Sequence, residues 1–143
     1  MPTQPYHVNV NELPRQSRFG GAMEETAVVM DGAMLKFSWA KPAGPEMTGR
    51  TAAAGKPDQH PFDQAIFLVS GRVEVTLGEG DESQTYELGP GHLIYIPADV
   101  PHIGRVLGDE PAFGVDVFGP AREDYFDMAE HQLSREPGAT PQA

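Results

Sequence analysis

The feature that most constrains the fold of this chain is a series of short alternating segments, each bounded by turn residues. Val73–Leu77 alternates apolar and polar residues, and Ala33–Trp39 places Leu35, Phe37 and Trp39 on the face opposite Lys36 and Ser38. Sixteen glycines and fourteen prolines in 143 residues supply frequent turns. Short strands at regular intervals with turn signals between them predict an all-β barrel or sandwich.

The segments suggest one domain with two tails. The dipeptide Asp31-Gly32 predicts a hairpin between Thr26–Met30 and Ala33–Trp39. Further strands are predicted at 65–69, 73–77, 84–88, 93–96, 103–107 and 112–118, and residues 48–54 are a possible strand. We therefore expect an N-terminal arm over residues 1–22 and a barrel over 23–121. Residues 122–143 are expected to form a short helix, over 122–133, and a disordered tail.

The charge of the chain argues against several classes of partner. Ten Lys and Arg against twenty-one Asp and Glu give a formal charge of -11, so the basic patch that binds nucleic acid is not expected. No apolar run approaches the roughly 20 residues of a membrane helix. The first residues lack the pattern of a secretion signal and the chain has no cysteine, so a cytoplasmic protein is the default expectation.

Two separate segments contain residues that commonly bind metals. Asp58, His60 and Gln64 all occupy even positions, so an extended backbone would direct their side chains to one side. A further histidine, His102, follows a glycine-proline-glycine turn and Pro97. Imidazole nitrogens with carboxylate and amide oxygens suit one divalent ion such as Mn, Fe, Co, Ni or Zn.

These two segments resemble the two sequence motifs of the cupin superfamily. In the first motif His60 matches the second histidine, Gln64 the Glu/Gln ligand and Gly71 the turn. In the second motif Pro90, Gly91, Pro97 and His102 match, and Asp58 stands where the family has its first histidine. The resemblance implies a jelly-roll barrel (a double-stranded β-helix) with a metal held by His60, Gln64 and His102. Asp58 is a further candidate ligand, and the alternative is a vestigial site without metal.

The last predicted strand carries a carboxylate among apolar residues. Asp116 shares a face with Ala112, Gly114 and Phe118, and burying a carboxylate is costly unless it is paired or used. Asp116 is therefore a candidate general base, Phe118 a pocket wall and Arg122 a clamp for a substrate carboxylate. The alternative is a structural Asp116–Arg122 pair.

The spacing of Asp116, Phe118, Pro120, Arg122 and Asp124 is similar to that of the small cupins that linearise unsaturated uronates in pectin and alginate breakdown. This resemblance implies an isomerase or lyase type of enzyme that opens and ketonises a small anionic, oxygen-rich acid. Three alternatives remain open: a non-haem iron dioxygenase with an Asp58–His60–His102 triad, a polyketide cyclase or other metal-assisted lyase, and a non-catalytic sugar-binding protein.

A homodimer is also expected. A small barrel has open sheet edges, and the N-terminal arm is available to cover one of them. Leu35, Phe37, Trp39 and Phe113 would contribute to an apolar face that is too large for the core of one such barrel.

Overall fold

A computed structural model of the chain describes residues 2, 4–42 and 56–135. Within these residues the backbone forms nine strands, and the all-β fold predicted from the sequence is confirmed. The strands are β1 (Gln16–Arg18), β2 (Met23–Met30), β3 (Ala33–Ala40), β4 (Asp63–Ser70), β5 (Val73–Leu77), β6 (Gln84–Leu88), β7 (Leu93–Ile96), β8 (His102–Val106) and β9 (Ala112–Gly119).

The strands form two antiparallel sheets that enclose the core. The larger sheet has the order β1-β2-β3-β9-β4-β7, and the smaller has the order β6-β5-β8. Both sheets contribute to one apolar cluster, made of Ala40, Leu68, Val75, Leu88, Ile96, Val106 and Ala112. The two inner faces therefore pack against each other around a shared interior.

Strand β3 shows how the alternation is used. The turn at Asp31–Gly32 joins β2 to β3, and Gly32 adopts a φ of 83° that glycine accommodates without strain. Lys36 and Ser38 are buried and line the interior, whereas Phe37 and Trp39 are only partly buried, on the outer face. The face of β3 that looks more polar in the sequence is thus the inner one.

The two ends of the described chain lie along β2. Strand β1 pairs with the first three residues of β2, and short 3-10 turns precede and follow β1 at Val10–Glu12 and Phe19–Gly21. The remaining free edge of β2 is covered by the C-terminal segment. There the Gln132 side chain exchanges hydrogen bonds of 2.8 and 2.9 Å with the backbone of Val29.

The C-terminal helix differs in detail from the expected helix over 122–133. Glu123–Ala129 is a 3-10 helix and only α1 (Glu130–Leu133) is α-helical. A repeat of three residues per turn directs Tyr125 and Met128 to the same side, and both are buried in the core.

The possible strand at 48–54 and the predicted tail beyond residue 135 lie outside the described residues. A further 3-10 turn spans Gly80–Glu82.

Candidate metal centre and cavity

A backbone bridge brings together the two segments that carry the candidate metal ligands. Asp58 N–H donates to His102 O at 2.8 Å, and His102 N–H donates to Asp58 O at 2.9 Å. Residues paired in this way direct their side chains to the same face, so the Asp58 carboxylate and the His102 ring are neighbours. Gln64 enters from the inner face of β4, and His60 precedes that strand.

The two histidine rings are oriented by carbonyl groups. His60 Nδ1 lies 2.9 Å from Phe62 O, and His102 Nδ1 lies 3.0 Å from Val100 O. A carbonyl oxygen only accepts, so these contacts suit the tautomer in which Nδ1 carries the hydrogen. A neutral ring in that tautomer has its lone pair on Nε2, which is the arrangement found in histidine ligands of metals.

The Nε2 atoms converge with oxygen acceptors. His60 Nε2 lies 3.0 Å from Gln64 Oε1 and 4.0 Å from Asp58 Oδ2, and His102 Nε2 lies 3.8 Å from the same Asp58 oxygen. Ligands that bind one ion at about 2.0–2.2 Å must lie within about 4 Å of one another. All four side chains are buried. Asp58, His60 and His102 can therefore hold a metal ion, with Gln64 beside them.

The surroundings of Asp58 and His102 favour the protonation states in which these side chains can bind a metal ion. Burial raises the pKa of Asp58, but the hydrogen bond and positive charge of Arg122 hold it below its ordinary value. Burial lowers the pKa of His102, which keeps its ring neutral. A carboxylate with neutral imidazoles is the protonation state that a divalent cation requires.

Arg122 makes contacts that the sequence does not reveal. Its Nη1 donates to Asp58 Oδ2 at 2.9 Å, while Nε and Nη2 donate to Asp124 at 3.0 and 2.7 Å. Burial opposes its charge, but these partners raise its pKa. Three of its five N–H donors are thus engaged, and its evident structural role is to position Asp58.

Asp116 pairs with a lysine from the neighbouring strand. Its Oδ2 lies 3.2 Å from Lys36 Nζ, and Lys36 donates in turn to Glu25 Oε2 at 2.5 Å. Arg18 donates to the same Glu25 carboxylate at 2.5 and 3.1 Å. Burial opposes the charge of Lys36, but Glu25 and Asp116 raise its pKa well above the ordinary value.

Sequence reasoning did not identify the polar side chains of the interior near Asp116, which are those of Arg18, Glu25, Lys36 and Ser38. The available signal was a lysine on β3 that, like Asp116 on β9, interrupts an apolar strand. The register between β3 and β9 places Lys36 directly opposite Asp116. The structure thus pairs Asp116 with Lys36, whereas the alternative considered from the sequence was an Asp116–Arg122 pair.

Three residues of the candidate metal-binding cluster, Asp58, Gln64 and His102, line one interior cavity of about 120 Å³ together with Asp116. Phe118 forms part of its wall and is buried, with its ring 5.9 Å from the His60 ring in an edge-on arrangement. Four cationic side chains, those of Arg18, Lys36, Arg105 and Arg122, also line it. The Arg105 side chain is 53% exposed and pairs with Glu74, whereas the other three are largely buried, so a chain of charge -11 has three positive groups in its interior.

None of the helices in the described part of the chain is long and apolar enough to cross a membrane.

Comparison with known proteins gives one family match. The family described as "Cupin domain" matches residues 47–118, which is half of the chain. The sequence matches no curated protein.

Solved structures show the same fold. KdgF from Halomonas sp. is 22% identical, with a TM-score of 0.69 over 85% of this chain and 98% of that one. An RmlC-like cupin from Shewanella frigidimarina NCIMB 400 is 17% identical, with a TM-score of 0.66 over 86% and 96% of the two chains. The iron(II) form of HppE is 13% identical, with a TM-score of 0.58 over 82% and 65%. At these identities the likeness concerns the fold.

Proposed function

The chain belongs to the cupin domain family, and from this premise we propose that it is a metal-dependent isomerase that opens and ketonises a 4,5-unsaturated uronate or a similar small acid. The observation that carries the proposal is the convergence of Asp58, His60 and His102, with Gln64 beside them, at the end of a cavity that Asp58, Gln64, His102 and Asp116 line. A divalent ion at these ligands would supply Lewis acidity to a substrate oxygen.

The cavity charges favour an anionic substrate. Three buried or largely buried cations, those of Arg18, Lys36 and Arg122, pair with four carboxylates, those of Glu25, Asp58, Asp116 and Asp124. A bound divalent ion would therefore leave one positive charge uncompensated, and a substrate carboxylate would neutralise it. In this proposal the two remaining N–H donors of Arg122 contact the carboxylate while the other three hold Asp58 and Asp124.

The proposed reaction needs proton transfer and no oxidant. The anomeric hydroxyl loses its proton and becomes the aldehyde oxygen at C1 as the bond from C1 to the ring oxygen breaks. C4 gains a proton, the double bond between C4 and C5 is lost, and the former ring oxygen becomes the oxygen of a ketone at C5. The proposal assigns the proton transfer to Asp116, which lies inside the cavity with Lys36 holding one of its oxygens. Phe118 excludes water from that side of the substrate.

The test combines metal analysis with turnover of an unsaturated galacturonate, followed by the loss of its ultraviolet absorbance. Asp116→Asn should lower kcat by about 10²–10⁴ while metal content is unchanged. Asp109→Asn, at an exposed loop position, is the matched control. Near-normal turnover by Asp116→Asn, or a wild-type protein that binds metal and leaves the substrate intact, would reject the proposed reaction.

A second candidate function is a non-haem iron oxygenase. The cluster of Asp58, His60 and His102 is a two-histidine, one-carboxylate set, which is the ligand pattern of many such enzymes. Oxygen consumption by the iron-loaded protein, together with the absence of turnover on unsaturated uronates, would favour this candidate over the isomerase.

We also propose that two copies associate through the outer face of the larger sheet. The register places Phe37, Val115, Phe67 and Leu93 in one row across four strands. Phe67 and Leu93 are 40% and 60% exposed, and apolar surface of this kind marks interaction sites. Light scattering at micromolar concentration should give a dimer that Leu93→Arg dissociates. A monomeric wild-type protein would contradict this proposal.

A further inference from the structure

The Ser38 side chain is the starting point for a second interior contact. It is only 9% exposed, and its hydroxyl is the one buried side-chain polar atom in the described part of the chain that has no hydrogen-bond partner. Ser38 also lines the cavity. Buried polar groups in folded proteins nearly always have a partner, so an unpaired hydroxyl that faces a cavity indicates a partner supplied from within that cavity.

The residue opposite Ser38 leaves room for such a partner. Ser38 pairs in register with Gly114 of β9, and Gly114 pairs with Leu68 of β4. A β-carbon at position 114 would lie 3.4 Å from Phe67 O and 3.6 Å from Leu68 Cδ1, which are ordinary contact distances. The missing side chain at Gly114 therefore enlarges the cavity beside the hydroxyl.

The register also fixes the order of groups along the cavity. Met34, Phe118 and Gln64 form the row next to the metal-binding cluster, Lys36 and Asp116 form the next row, and Ser38 and Gly114 the one after it. Residues two apart on a strand are separated by about 6.4–6.8 Å. The Ser38 hydroxyl is thus about one six-membered ring, with its substituents, beyond Asp116.

We infer that the Ser38 hydroxyl, together with the Lys36 ammonium group, binds the hydroxyl-bearing end of a six-carbon sugar acid whose other end lies at Asp116 and the metal-binding cluster. This inference rests on the proposed function and names the substrate class by size and by hydroxyl content. Glu25 and Asp116 face two of the three N–H donors of Lys36, which leaves a donor for the ligand. A two- or three-carbon acid would not reach from Asp116 to Ser38.

Binding of two probes to metal-loaded protein tests this site by calorimetry. D-Glucuronate carries ring hydroxyls, and cyclohexanecarboxylate has the same ring size and carboxylate without them. The wild-type protein should prefer D-glucuronate, and Ser38→Ala should reduce that preference about tenfold, the effect of losing one hydrogen bond in a buried site. The exposed Ser70→Ala variant is the control and should retain the wild-type preference.

The outcomes separate this inference from the proposed reaction. If Ser38→Ala and the wild-type protein prefer D-glucuronate over cyclohexanecarboxylate to the same degree, only water pairs with the Ser38 hydroxyl. That result would overturn the inference. A wild-type protein that binds neither probe, or that binds both equally, would also overturn it. In contrast, a Ser38-dependent preference for D-glucuronate in a protein that does not convert unsaturated uronates would reject the reaction and support the binding site.

Discussion

The buried carboxylate of Glu25 offers a direct test of the charge network inside the barrel. Glu25 is 0% exposed and accepts hydrogen bonds from Arg18 at 2.5 and 3.1 Å and from Lys36 at 2.5 Å. Glu25→Gln keeps the size of the side chain and removes its charge. The two cations then lose a common counter-ion while they remain largely buried.

The expected loss of stability is large. Removing one partner of a buried ion pair costs about 3–5 kcal/mol, because the remaining charge is left uncompensated. The total free energy of unfolding of a domain is about 5–15 kcal/mol, so this loss would be a substantial fraction. The neighbouring Glu24 provides the comparison. Its ion pair with Arg15 has a distance of 3.7 Å and its side chain is 46% exposed, so Glu24→Gln should lower the free energy of unfolding by at most about 1 kcal/mol.

Urea unfolding of the three proteins, followed by circular dichroism, measures both losses. The double variant Glu25→Gln with Arg18→Met removes one of the two cations that shared the Glu25 carboxylate, while Lys36 keeps its contact with Asp116, and should recover part of the stability. The pH dependence gives a second measurement. Burial raises the pKa of Glu25, but Lys36 and Arg18 hold it below the ordinary 4.5. The wild-type protein therefore has the full contribution above about pH 4.5 and loses it as the pH falls through the lower folded-state pKa. Equal stability losses in Glu25→Gln and Glu24→Gln would refute this account of the network.

Four further variants test other parts of the structure. Arg122→Lys should weaken metal binding about 10–100-fold in a chelator competition, because it loses the hydrogen bond that positions Asp58, and unchanged affinity would contradict that role. Gly71→Ala should destabilise the protein by about 2 kcal/mol or more in urea unfolding, because its β-carbon would lie 2.6 Å from a backbone oxygen at a φ of 84°. Gly32→Ala, which has a similar φ but open space, should cost only about 1–2 kcal/mol. Burial lowers the pKa of His131, so its contribution to stability falls as the pH drops below about 6.5, and His131→Gln should flatten the dependence of Tm on pH between 7 and 5.

Local patterns in the sequence predicted eight of the nine strands and missed β1 (Gln16–Arg18), which lies in the expected N-terminal arm. The predicted hairpin at Asp31-Gly32 and the predicted strand Val73–Leu77 match the structure, and the other predicted strands begin and end within a few residues of the observed ones. Alternation and turn residues act over a few positions, so they can be read without knowing which strands are neighbours. The same parity argument brought Asp58, His60 and Gln64 to one side, and the structure places Asp58 and His60 beside His102, and Gln64 beside His60.

The partners of the interior charges could not be read in this way. Asp58 and Arg122 are 64 positions apart, and Lys36 meets Asp116 only because β3 pairs with β9 in one particular register. The sequence alone divided β3 into two faces, but it did not show which face lines the interior. It also did not show that the Ser38 hydroxyl would be buried without a hydrogen-bond partner. Alternation is a property of one strand, whereas burial and pairing depend on the packing of two sheets. The sequence therefore determined the strands and the candidate metal ligands, and only the tertiary structure decided which charges neutralise one another around the cavity.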